Sequence, residues 1–304
     1  MVKDLAGHKK RRGLNIGVFD VVNTIIMIII AIVMIYPFWN TIAVSFNDAQ
    51  DSLRGGITLS PRVFSTYSYQ QILTSRLMVT ATVNSVLRTV LATVLGVFVS
   101  ALIAYVLSRK ELVGRKFITV YFLVTMYVSA GLIPTYFLMK DLKLLNNFWV
   151  YILPNLISVY NVIVIKSFMQ ALPESLSEAA IVDGAGHFRT FVQIIIPCSK
   201  PVLATIALWC AVGAWNAWFD TFLYNSSKDE LTTLQYEMMK LLSSAMNQGK
   251  QQSLSDSSNT MANTVTPTSM RAAVTVVASV PILVVYPFLQ KYFVKGVTLG
   301  AVKG

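Results

Sequence analysis

Asn216 and Asp220 stand four residues apart in an apolar stretch that also holds Trp209, Trp215, Trp218 and Phe219. On a helix, that spacing puts both polar groups on one face. Aromatic rings beside a few hydrogen-bonding groups suit a sugar, whose C–H faces stack while its hydroxyls pair. A second polar group, Arg88, lies in another apolar run, with Asn84 and Ser85 on nearby faces. A cation at the centre of a bilayer costs about 2.5–3.5 kcal/mol on insertion scales. Arg88 should therefore face protein or a water-filled path. Three readings stay open for the tryptophan-rich stretch: the lining of a solute path, packing against another subunit, or an aromatic belt at the membrane surface with Asp220 reaching water. Other chemistry finds no carrier. There is no G-x-x-x-x-G-K-[ST] phosphate loop, so this chain should not hydrolyse ATP. No Ser-His-Asp or Cys-His arrangement supports a catalytic residue. Cys198, Cys210, His8 and His187 lack metal-ligand spacing, and the cysteines are not placed for a disulfide.

A polar island, residues 178–197, interrupts the apolar runs. Leu172-Pro173 should end the preceding helix, because proline lacks an amide hydrogen and restricts the residue before it. Ser175 and Glu178 have capping-box spacing, so a new helix should begin near Ser175. Gly184 and Gly186 can take the left-handed geometry that ends such a helix. A second helical stretch through Phe188, Phe191, Val192 and Ile195 should run to Pro197. Read on residues alone, the product is a helical hairpin beside a membrane; an amphipathic hairpin merely resting on lipid is the bland alternative.

The elements that position these residues follow from composition. Hydrophobic residues make up 55% of the 304 residues and charged ones only 13%, against about 25% charged in soluble domains. Mean hydropathy is +0.60. A bilayer core is roughly 30 Å thick and needs about 20 apolar residues per crossing helix. Six segments meet this: 18–38, 79–107, 117–139, 148–168, 202–224 and 272–293. The fold class is therefore all-α, a polytopic membrane protein with six transmembrane helices. The first segment reads as a retained span, since its core is too long for a cleaved signal peptide. Pro134, Pro154 and Pro281 should kink their helices. Alternating the segments puts fifteen of the 25 Lys and Arg on the side of both termini and the island, against eight opposite. The richer side should be cytoplasmic. The net charge of +11 then reflects topology and not nucleic-acid binding.

The chain divides into a cytoplasmic N-terminal segment (1–17), a transmembrane domain (18–294) and a cytoplasmic tail (295–304). Residues 169–201 form the cytoplasmic loop with the island; 39–78 and 225–271 form outward loops. In the first outward loop Tyr67, Tyr69 and Ile72 suggest a short docked helix. In the second, 231–246 has helical apolar spacing, and 247–269 is rich in Ser, Gln, Asn and Thr, as in a solvated excursion. The tail, with Gly296, Gly300 and Gly304, reads as extended.

Glu178-Ala179-Ala180, Gly184, Ile194 and Pro197 resemble the Glu-Ala-Ala signature of permease subunits of ABC importers; Ile196 stands where that family has Leu. The wider chain is similar to the carbohydrate branch, and within it to the shorter maltose-type subunit and the polysaccharide and complex-oligosaccharide subgroup. Tyr36-Pro37-Phe38, Ser45-Phe46-Asn47, Asn84-Ser85, Trp215-Asn216-x-Trp218 and residues 288–304 carry this. The resemblance implies the type I importer transmembrane fold and import of an oligosaccharide or polysaccharide at the cell membrane. It implies docking to an ATPase through Glu178, Ala179, Ala180, Asp183, Gly184, Ala185, Phe188, Ile194 and Pro197. It also puts Gly300, Ala301 and Val302 at the interface between two ATPase copies. Asn84, Arg88, Trp215, Asn216, Trp218 and Asp220 are the candidates for the substrate pathway. The implied partners are a different second permease, two ATPase subunits carrying ATP and Mg, an extracellular solute-binding protein and the bilayer. No cofactor or metal is assigned to this chain. The rivals are an importer of another solute, such as glycerol phosphate or an amino acid, and a six-span channel or ion-coupled carrier.

Overall fold

The computed structural model describes residues 17–251 and 266–301. Its element order is α1 (Val18–Ser45), α2 (Ala49–Leu53), α3 (Tyr67–Thr74), α4 (Arg76–Ser108), α5 (Arg115–Tyr127), α6 (Leu132–Asp141), two 3-10 turns (Phe148–Tyr151 and Leu153–Asn155), α7 (Val159–Gln170), α8 (Ser175–Val182), α9 (His187–Thr190), a π-helical turn (Phe191–Ile195), α10 (Ile196–Cys198), α11 (Lys200–Asn216), α12 (Phe219–Tyr224), a 3-10 turn (Asp229–Leu231), α13 (Leu234–Gln251) and α14 (Pro267–Ala301). The described residues contain no strand beyond an isolated bridge between Asn47 and Phe64.

The centre of the molecule is α4. It is capped by the Ser75 hydroxyl, which accepts from the Met78 amide. It packs on α11, α7 and α13. Small residues on its inner faces, among them Ala81, Ser85, Ser100, Ala101 and Ala104, are fully buried or nearly so. Such residues let helix backbones approach closely in a membrane, where apolar contact alone gives little preference for helix over lipid. Gly96 is one point of close approach, because a Cβ there would lie 3.7 Å from the Leu156 carbonyl. The main core joins Ala101, Ala104, Tyr105 and Leu107 of α4 to Val162, Ile165 and Met169 of α7 and to Phe191, Ile195, Val202 and Ile206. In contrast, α1 runs along α14 and leaves nearly all of its apolar surface exposed.

Among the described residues two helices, Val18–Ser45 and Arg76–Ser108, are long and apolar enough to cross a membrane unaided; the count rises to five if each bent pair is one span. The expected single helix over 117–139 is two helices, α5 and α6, meeting at 112°. The break falls at Val128–Gly131, just before Pro134, and Gly131 takes φ +84° there. The expected span 148–168 begins as 3-10 turns around Pro154, bends by 49° and becomes regular only at Val159. The span expected over 202–224 is interrupted at Ala217 and Trp218, between α11 and α12. Asn216 and Asp220 therefore do not share a helix face, which corrects the reading based on their spacing. Pro281 lies inside α14 without ending it.

The two loops expected to face outward are ordered where they are described. Ile72 of α3 is buried and the Tyr69 hydroxyl pairs with Ser45 Oγ at 2.7 Å. Asn47 ties the first loop together: its carbonyl oxygen accepts from the Arg62 and Val63 amides, and its amide donates to Asp51. That bond from Asn47, followed by Arg62, holds the Asp51 carboxyl below its ordinary range. Residues 234–251 are helical; most of the polar stretch that follows lies outside the described residues. The tail differs from the extended chain read in the sequence, because α14 continues through Ala301. Gly296 and Gly300 each weaken a helix by about 1 kcal/mol, but they extend one that is already nucleated, so only propagation is at stake. Val302 lies outside the described residues.

Candidate functional site

The polar island folds as a hairpin closed by its glycine. α7 stops at Gln170, before Leu172-Pro173, and α8 starts at Ser175. The start matches the sequence, but the cap does not. Ser175 is already helical, Glu174 precedes it, and neither side chain caps the helix. The Glu174 carboxylate instead accepts from Lys110 Nζ at 2.8 Å, on the turn after α4. This bond and the carboxylate's charge hold the Lys110 ammonium above its ordinary pKa. The C-terminus of α8 carries a Schellman closure: the Gly184 amide donates to Ile181 O and the Ala185 amide to Ala180 O. Gly184 takes φ +78°, which is why a residue without Cβ stands there.

The second limb, His187–Cys198, runs through the π turn and meets α11 at 83°. At the π turn the Ile196 amide reaches back to Phe191 O. Pro197 follows in the first turn of α10, where its missing amide hydrogen is tolerated. One face of the hairpin is fixed to the bundle. Ser177, Ala180, Thr190, Phe191 and Ile195 are buried. The Tyr105 ring lies 5.1 Å from that of Phe191, and its hydroxyl donates to His187 O. The other face is unpartnered: Val182 is 86% exposed, Phe188 66% and Ile181 50%. Glu178, Ala179, Asp183, Gly184 and Pro197 are exposed with them, Ala185 and Ile194 are half-buried, and Ala180 faces inward. An apolar patch ringed by two carboxylates, on a limb braced from behind, suits docking of a protein with a matching cleft. Leu176 and Val182, which the sequence marks as part of this helix's apolar surface, belong to this exposed face; Ile181 joins them and was not singled out, its only signal being apolar type beside Glu178. Tyr105 gave no local signal at all, since it acts from α4.

The polar residues inside the bundle form a separate cluster. Arg88 is 2% exposed. Its guanidinium donates to both carboxylate oxygens of Asp220 and to Ala217 O, and it lies 4.7 Å over the Tyr151 ring. Asn84 donates to the carbonyls of Glu230 and Thr232, and Ser85 Oγ accepts from the Leu234 amide. One edge of α4 thus holds both the α11–α12 break and the turn leading into α13. Trp215 is buried and donates to Ala278 O of α14 at 2.9 Å. Asn216 bonds Val212 and Gln235, and Trp218 packs edge-on against Phe219. Of the six candidate pathway residues, the structure brings Arg88 and Asp220 into direct contact, with Asn84 one turn away on α4. Trp215 faces α14 instead. Tyr151, which completes the Arg88 site, had no signal in the sequence.

Residues 93–299 match the family described as "binding-protein-dependent transport system inner membrane component". The chain is 36% identical over 288 residues to the polygalacturonan/rhamnogalacturonan transport system permease protein YtcP of Bacillus subtilis (strain 168), covering 94% of this chain and 98% of that one. It is 36% identical over 290 residues to Protein LplC of the same organism, covering 94% of this chain and 95% of that one. Among solved structures, a chain of a bacterial ABC transporter involved in the import of the acidic polysaccharide alginate superposes with a TM-score of 0.80 at 26% identity, covering 92% of this chain and 98% of that chain.

Proposed function

The chain belongs to the binding-protein-dependent transport system inner membrane components, the integral-membrane permeases of ABC transporters, and we propose that it moves a carbohydrate delivered by an extracellular solute-binding protein. The family is one of permeases and not of catalysts. The cargo class rests on the relatives, one a polygalacturonan/rhamnogalacturonan permease and one from an alginate importer. Nothing in their names favours glycerol phosphate or an ion-coupled carrier. The observation that carries the mechanism is the hairpin: an exposed patch of Ile181, Val182 and Phe188 with Glu178 and Asp183, braced from behind by Tyr105 and Phe191.

In this reading the patch enters a cleft of a separate ATPase. Two ATPase copies bind ATP and Mg and do the hydrolysis, and a different second permease completes the path. The last turn of α14, with Gly300 and Ala301, and Val302 after it in the sequence meet the two ATPases. Six spans follow if each bent pair crosses once and α1, α4 and α14 cross separately, with both termini cytoplasmic. When the ATPases close, the hairpin moves as a body, because its inner face is anchored to α4 and the π turn passes the motion to α11.

Two experiments test this. Vesicles holding the full transporter should accumulate an oligouronide only with ATP inside and loaded binding protein outside; equal uptake with neither would remove the importer reading. Orientation is tested by single cysteines at Ser175 and Ser253 in a background lacking Cys198 and Cys210. A membrane-impermeant thiol reagent should label position 253 in intact cells and leave 175 untouched; the reverse pattern would invert the topology.

A further inference from the structure

Two hollows flank the turn between α4 and α5, and together they have the chemistry of a phospholipid site. The first is an open cavity of ≈ 270 Å³ under α8, lined by Tyr105, Arg109, Lys110, Glu111, Arg115 and Glu174 among others. Lys110 and Glu174 pair with each other across it. That leaves the two guanidinium groups of Arg109 and Arg115 facing a single carboxylate, Glu111. Arg109 is held in place: its Nη2 donates to the Tyr105 hydroxyl at 2.6 Å, and its Cζ lies 4.8 Å over that ring. Its Nε is buried and has no hydrogen-bond partner. An orphaned donor on a guanidinium is costly unless an acceptor meets it. Arg115 turns back on the same turn, Nη1 donating to Arg109 O at 3.4 Å.

The second hollow is a wholly apolar groove of ≈ 350 Å³ along α4 and α5, lined by Leu102, Ile103, Val106, Leu112, Ile118 and Phe122 among others. It ends where the basic turn begins. α4 carries no charge from Thr89 to Ser108, and the first charges after that are Arg109, Lys110 and Glu111. The turn therefore stands at headgroup depth and the groove at acyl-chain depth.

We propose that this turn binds an anionic phospholipid, its phosphate between Arg109 and Arg115 and one acyl chain in the α4–α5 groove. Charge complementarity selects the headgroup: a phosphate with no compensating ammonium satisfies the two guanidiniums, whereas a zwitterionic headgroup brings its own cation to the site. Because Tyr105 also touches the hairpin, a bound lipid stiffens the contact on which the hairpin rests.

The test uses the assembled transporter in mild detergent, with retained lipid read by native mass spectrometry after exchange into phosphatidylglycerol or phosphatidylcholine. Wild type should retain phosphatidylglycerol and not phosphatidylcholine. One basic residue near a membrane surface is worth about 1 kcal/mol, so Arg115→Gln should lower retention about fivefold, and Arg115→Lys should restore most of it. Val106→Trp, which fills the groove and leaves the charges alone, should also release the lipid. Equal retention of both lipids, or no loss in Arg115→Gln, overturns the proposal. So does equal thermal stabilisation by inorganic phosphate, which would make the site one for a free anion. Absence of lipid from the assembled transporter would mean that a second subunit covers the groove, which also overturns it.

Discussion

Asp220→Ala is expected to lower the stability of the assembled protein more than any other single change in the bundle. It strands the Arg88 guanidinium, which is almost wholly buried and bonded to Asp220 through both of its terminal nitrogens. Removing one partner of a buried pair typically costs about 3–5 kcal/mol, a large part of the roughly 5–15 kcal/mol that separates folded from unfolded domains. The loss is also local in effect. Arg88 holds Ala217 O at the α11–α12 break, so the break should loosen first. Asp220→Asn keeps an acceptor and should fall between wild type and alanine. The double variant Arg88→Met with Asp220→Leu removes both charges and should recover much of the loss, because an uncharged pair of similar volume carries no desolvation cost. Thermal unfolding in detergent, read as a double-mutant cycle, checks this. In the double variant, losses that equal the sum of those from Asp220→Leu and Arg88→Met alone would mean that the pair is not coupled.

Gly184→Val should leave membrane insertion intact and disable coupling to ATP hydrolysis. A Cβ at Gly184 would meet nothing within 4 Å, so the penalty is conformational and not steric crowding with neighbours. At φ +78° an ordinary side chain pays roughly 1–2 kcal/mol and a β-branched one more. The Schellman closure of α8 then competes with a reopened turn, and the docking-competent hairpin falls about 5–30-fold in population. Asn tolerates the left-handed region, so Gly184→Asn should keep most coupled activity. Stimulated ATP hydrolysis in proteoliposomes separates the three proteins. If valine and asparagine behave alike, the backbone angle is not what the position requires.

The hairpin was legible in the sequence because its signals are local. Leu172-Pro173 stops a helix, Gly184 ends the next, and Pro197 marks the end of the second limb, each within one or two turns of the structure it dictates. Local reasoning failed at the cap: Ser175 and Glu178 have the right spacing, but Glu174 is drawn to Lys110, 64 residues away in sequence. The helix breaks were hidden for a related reason. Residues 117–139 carry no charge and residues 202–224 only Asp220, and hydropathy cannot tell a straight span from two pieces meeting at an angle. The break at Ala217 and Trp218 is held by Arg88 from α4, a partner 129 residues distant that no window contains. Arg88 was read as facing protein or a water-filled path, from the cost of exposing a cation to lipid, and it is buried against Asp220 and Tyr151. The helical end of α14 was missed because its glycines were weighed as an isolated segment and not as the continuation of a long helix.

The central claim, that the hairpin face receives the drive from a separate ATPase, has one direct test. ATP hydrolysis by the full transporter in proteoliposomes is measured with and without sugar-loaded binding protein, for wild type and Phe188→Asp. Phe188 is exposed, and its ring contact is a tilted one with Phe191 at 6.4 Å, so the variant should insert and pack normally. It places a charge in the middle of the apolar docking patch, where burial without a partner is costly. Loaded binding protein should strongly stimulate wild type and leave Phe188→Asp unstimulated, with ATPase subunits lost from the purified variant. Stimulation of Phe188→Asp to the wild-type level, with its ATPase subunits retained, would show that the hairpin face does not receive the drive.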